Sequence, residues 1–108
     1  MSTAVVSQLR SNRAPIMLAQ PGPGVVTMRV QSAEMWDAVR VVARPDTGVS
    51  ELKQRVVADF YPGHEFPDDF VLKLGGWEIL DERQSLATAG IRDGAIVLLA
   101  FRRRRPVR

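Results

Sequence analysis

The chain contains no cysteine, which excludes disulfides, thiolate metal sites and cysteine nucleophiles together. Histidine occurs once, as His64 in the loop Pro62-Gly63-His64-Glu65, and is read as a solvent-facing loop residue. No second histidine exists to hold a metal or share a proton with it. The acidic pairs Asp68-Asp69 and Asp81-Glu82 lack the alternating oxygen spacing of a calcium loop and are read as turn residues and a solvated face. Phosphate-cradling glycine loops of the Walker or dinucleotide kind are missing too. No cofactor, metal or catalysis is therefore expected. No apolar run approaches the roughly 18–20 residues a bilayer-spanning helix needs. Residues 1–10 have no positive start followed by an apolar core, so a secretory signal is not expected and the cytoplasm is the expected location.

What is present fits one small domain with tails, expected to be a monomer: 108 residues, 45% hydrophobic and 25% charged. The formal net charge of +3 is unevenly spread. Residues 1–24 hold two arginines and no acid, whereas residues 25–101 hold eight basic and twelve acidic residues, a net −4. Five arginines follow in residues 102–108. The positive excess thus lies outside the expected domain, and the basic balance does not by itself make that domain a nucleic-acid binder.

Residues 1–24 show no sustained period and end in Gln20-Pro21-Gly22-Pro23-Gly24, which breaks any helix or strand begun upstream. They are expected to form a disordered leader and linker; Ala14-Pro15-Ile16-Met17-Leu18 is their one apolar cluster, with docking of that cluster as the alternative. The alternation of Val26, Met28 and Val30 predicts a first strand, and that of Val39, Val41 and Ala43 a second. Their closeness in sequence predicts an antiparallel hairpin. Asp46-Thr47-Gly48 offers capping residues to a helix whose stripe is Val49, Leu52, Val56 and Phe60, stopped by Tyr61-Pro62-Gly63. A strand Phe70–Leu74, a turn at Gly75-Gly76, a connector containing Leu86, Gly90 and Ile91, an Asp93-Gly94 turn and a last strand Ala95–Phe101 complete the order.

Hairpin, helix, strand, short connector, strand is an order that resembles ubiquitin-like β-grasp domains. The residues carrying the resemblance are Leu72, Leu74, Gly76, Leu86, Gly90, Ile91, Asp93, Gly94, Ile96 and Leu98. It implies an α+β fold over residues 25–101, a mixed four- to five-stranded sheet packed on one helix, between a leader at 1–24 and an arginine-rich tail at 102–108. It also implies that the last strand lies between the first and third. Gly75-Gly76 lies inside this domain and is read as a turn, while the C-terminal Gly-Gly of conjugated modifiers is missing after the arginines, so a non-conjugated protein is expected. The same Gly-Ile-turn-Gly segment is similar to ubiquitin-like domains of bacterial type VII secretion components.

With Val39, Val41, Leu72, Leu74, Ile96 and Leu98 facing the helix, alternation sends their neighbours to the open face of the sheet. An apolar patch ringed by positive charge is expected there, built from Val42, Val71, Lys73, Val97 and Leu99 with Arg29, Arg40 and Arg44 nearby. Such a patch points to an unidentified protein partner; Trp36, beside the first hairpin, is read either as packed under the sheet edge or as a further binding anchor. Trp77 is expected to pack near Ile79 and Leu80. The alternative site is the tail: Arg102, Arg103, Arg104, Arg105 and Arg108 suit a nucleic acid or an anionic membrane surface, bound through salt-sensitive, sequence-blind contacts.

Overall fold

Two alternating segments pair as a hairpin: β2 (Val26–Ser32) runs antiparallel to β3 (Asp37–Ala43), with Val30 opposite Val39 and Met28 opposite Val41. The computed structural model describes residues 13–64 and 66–102. Strand β2 runs two residues past the alternating Val26, Met28 and Val30, and β3 starts at Asp37, leaving a tight four-residue loop, Ala33–Trp36. Helix α1 (Val49–Phe60) crosses one face and buries the predicted stripe Val49, Leu52, Val56 and Phe60. Strand β4 (Phe70–Leu74) turns through Gly75 and Gly76, both at positive φ, into the two-residue β5 (Trp77–Glu78). That tight reversal favours glycine because left-handed backbone costs other residues more. A short helix, Leu86–Ala89, then leads to β6 (Ile96–Phe101).

Strand β6 lies between β2, to which it is parallel, and β4, to which it is antiparallel. The core fills the space between this sheet and α1, with Met28, Val30, Val41, Leu52, Phe70, Leu72 and Leu86 among its buried members. The connector is held by its own caps. Ser85 accepts from the Thr88 amide at the start of the short helix, and Gly90 closes it at φ 90°.

Three expectations are corrected here. Ile16–Met17, inside the segment expected to be disordered, forms β1 and pairs parallel with β3, so the sheet has six strands in the order β1-β3-β2-β6-β4-β5. The apolar cluster docks because Ile16 inserts into the core while the Leu18 and Ala19 amides donate to the Val42 carbonyl. Helix α1 begins at Gly48 with no side-chain cap. Its first amides are satisfied instead by the connector, Val49 donating to the Gln84 carbonyl and Ser50 to that of Glu82. The third correction concerns Lys53, on the flank of the helical stripe. It is buried, its ammonium 2.7 Å from a Glu82 oxygen and 3.2 Å from the Phe70 carbonyl. Glu82 is therefore the counter-ion of a buried lysine and not part of a solvated face.

Candidate functional site

The phase of β6 decides which side chains the open face presents. Val97 pairs with Val30 and Leu74, and Leu99 with Ser32 and Leu72, so Val97 and Leu99 point toward α1 and are fully buried at 0% exposure. Their expected place on the open face is corrected. Ile96, 57% exposed, and half-buried Leu98 take it instead. The segment Ile96-Val97-Leu98-Leu99-Ala100-Phe101 is apolar throughout, so its alternation carries no sign. A shift of one residue exchanges the two faces, and only pairing with two neighbouring strands selects between them.

The other nominated residues divide. Val42 and Val71 do lie on the open side, in register with Met17 and Thr27 and with Ala100, but they are 7% and 3% exposed and offer little surface. Lys73 stays on that side, half-buried, between Leu98 and Glu78 in the pairing. Trp36 is 93% exposed at the hairpin loop, with φ 54°, a left-handed conformation unusual for a side chain of this size. Trp77 is not packed against the connector but exposed on β5, because that two-residue edge strand has only β4 beside it.

Arg29 and Arg40 sit directly opposite one another across β2 and β3, and Arg29 is also opposite Ile96 of β6. Like charges facing across strands repel, and among the described residues neither arginine has a carboxylate partner. The surrounding surface is concave. A hollow of about 940 Å³ is lined by Arg29, Gln31, Arg40, Ile96 and Leu98, with Trp36 and Arg13 at its rim. Sequence reasoning named Arg29 and Arg40 as neighbours of the patch but missed Ile96 and Leu98 as its apolar floor.

Of the tail, Arg102 is engaged locally. Its amide donates to the Asp69 carbonyl, its Nε to the Asp68 carbonyl at 2.9 Å, and its Nη1 lies 3.3 Å from the Glu78 carboxylate. Arg103, Arg104, Arg105 and Arg108 lie outside the described residues. His64 lies 3.2 Å from the Asp69 carboxylate and edge-on to Phe70, beside the cluster Tyr61, Phe70 and Phe101. No described group of three His, Cys, Asp or Glu side chains is placed to hold a metal. No helix of the described residues is long and apolar enough to cross a membrane.

Comparison with solved structures settles the architecture. The chain superimposes on the ubiquitin of Caldiarchaeum subterraneum with a TM-score of 0.63 at 21% identity, covering 75% of this chain and 98% of that one. The chain has the ubiquitin-like β-grasp fold. A de novo design based on ubiquitin matches with a TM-score of 0.63 at 23% identity, over 78% of this chain and 96% of the design. The ubiquitin-like domain of an Arabidopsis thaliana protein matches with a TM-score of 0.60 at 14% identity, over 83% and 90% of the two chains. No family model and no curated protein matches the sequence. At these identities the likeness is one of fold. Within the ubiquitin-like frame, β1 is the strand that precedes the hairpin, and the concave hollow lies on the side of the sheet away from the helix.

Proposed function

We propose that this protein is a non-covalent protein-interaction module that binds a cytoplasmic partner through the open face of its sheet. The observation that carries the reading is the hollow of about 940 Å³ in which exposed Ile96 and half-buried Leu98 lie beside Arg29 and Arg40, neither of which has a carboxylate partner among the described residues. An apolar floor next to two cations fits a segment of partner that presents an apolar side chain and a carboxylate together. Trp36 at the rim supplies the kind of rigid aromatic surface that dominates many interfaces. Its left-handed backbone costs about 1–2 kcal/mol, and strain of this kind clusters at functional positions. The proposal is one of binding and not of catalysis.

The test is affinity capture from the source cell's lysate at physiological salt. It compares the intact chain, an Ile96→Glu/Leu98→Glu variant, and a variant with Arg103, Arg104 and Arg105 changed to Gln. A discrete protein lost with the first variant and retained with the second supports the sheet face. Material retained with the first variant, lost with the second and sensitive to nuclease would move the function to the arginine tail.

A further inference from the structure

The segment preceding the hairpin is held on the sheet by two separate anchors. Ile16 inserts its side chain into the core from β1, beside Val41 of β3. Three residues earlier, Arg13 reaches across to the hairpin and the helix. Its Nε lies 2.7 Å from the Asp37 carboxylate, and its Nη1 3.0 Å from the Asp59 carbonyl and 3.2 Å from the Asp59 carboxylate. The guanidinium also lies 4.5 Å from the centre of the Phe60 ring. The strand pairing around the Ile16 anchor is slight: β1 has two residues, joined to β3 in the parallel arrangement, which is the weaker one per residue.

The same segment forms part of the candidate site. Arg13 and Pro15 line the hollow on the open face, along with Trp36 and Asp37, whereas Ile16 does not. Residues 20–25 connect the docked segment to β2 around the end of β3. Six residues reach roughly 20 Å when extended, against about 10 Å for two strand spacings. The link is long enough for β1 to leave the edge without disturbing β2.

We infer that residues 13–19 are a detachable strap whose docking builds one wall of the sheet-face hollow, so that the leader regulates the surface assigned to partner binding. The inference rests on the proposed role of that face. Docked, Arg13 holds Asp37 next to Trp36 and completes the rim. Undocked, the rim loses Arg13 and Pro15, the Asp37 side chain loses that guanidinium, and the outer edge of β3 at Val41 and Val42 is left unpaired.

The test uses hydrogen exchange of the full chain, read by NMR. The Leu18 and Ala19 amides are expected to exchange about 100-fold or more faster than those of β2 and β6, as a locally opening unit does. Ile16→Ser is the informative variant, because it removes the core anchor while leaving Arg13 and Pro15 intact. It should abolish the strap's protection, shift the resonances of Trp36, Asp37 and Arg40, and leave the β2 and β6 amides protected. Capture of the sheet-face partner should fall several-fold with Ile16→Ser, and also with Arg13→Ala. Exchange of the Leu18 and Ala19 amides no faster than the central sheet would overturn the strap. So would an Ile16→Ser variant with unmoved Trp36 and Arg40 resonances or undiminished capture. If the strap opens as described while Ile96→Glu/Leu98→Glu captures the same protein as the intact chain, the sheet-face function fails and the strap's mobility stands by itself, without its regulatory role.

Discussion

Truncating two adjacent leucines of β6 separates the buried side of the sheet from the side assigned to binding. Leu99 is fully buried against Leu72 and Ser32, whereas Leu98 lies on the opposite side with Gln31 and Lys73 as its register partners. Leu99→Ala removes three carbons from the middle of the core, where neighbours on two strands and the helix cannot all close in. Leu-to-Ala changes of this kind cost about 2–5 kcal/mol, and a central strand between two others belongs in the middle of that range. At roughly 3 kcal/mol, with about 4–8 °C lost per kcal/mol for a domain of this size, Leu99→Ala should lower Tm by roughly 12–24 °C. Leu98→Ala leaves no enclosed cavity and should cost less than about 1 kcal/mol. Urea unfolding followed by circular dichroism gives both values, and an unchanged m confirms that the denatured state is not the cause. Equal losses for the two variants, or a larger loss for Leu98→Ala, would refute the strand phase and with it the floor of the hollow.

Other outcomes follow from the same geometry. Lys53→Ala strands the Glu82 carboxylate and the Phe70 carbonyl beside a cavity and should cost about 3 kcal/mol in chemical denaturation. The double variant Lys53→Met/Glu82→Gln removes both charges and keeps the volume, so at least half of that loss should return; no recovery would deny that the ion pair is the cause. Trp36→Gly relieves the left-handed strain and should raise stability by up to about 1 kcal/mol while weakening capture of the partner. Because Trp36 and Trp77 are both exposed, native tryptophan emission should already be readily quenched by iodide and change little on unfolding. A large blue-shift of the native protein relative to the unfolded one would contradict that exposure.

Much of the fold was legible in the chain because its signals are local. Alternation placed β2, β3 and β4, the 3.6-residue stripe placed α1, and Gly75-Gly76, Gly90 and Asp93-Gly94 marked reversals that the backbone then makes. These features depend on side-chain spacing along a single segment, and each element's own composition specifies them. The absence of cysteine and the single histidine likewise narrowed the chemistry before any contact was known.

What tertiary structure alone decided were matters of relation between segments. The face of an all-apolar β6 depends on its register with β2 and β4, and that choice moved Val97 and Leu99 inward and Ile96 and Leu98 outward. Docking of β1 depends on a slot for Ile16 in the core beside Val41 and on carboxylates at Asp37 and Asp59, brought together from a hairpin and a helix end for Arg13. The burial of Lys53 depends on Glu82 arriving from a connector 29 residues away. A periodic pattern tells a segment which of its residues share a face. Which face meets the core, and which charge meets its counter-ion, is set by neighbours the pattern does not contain.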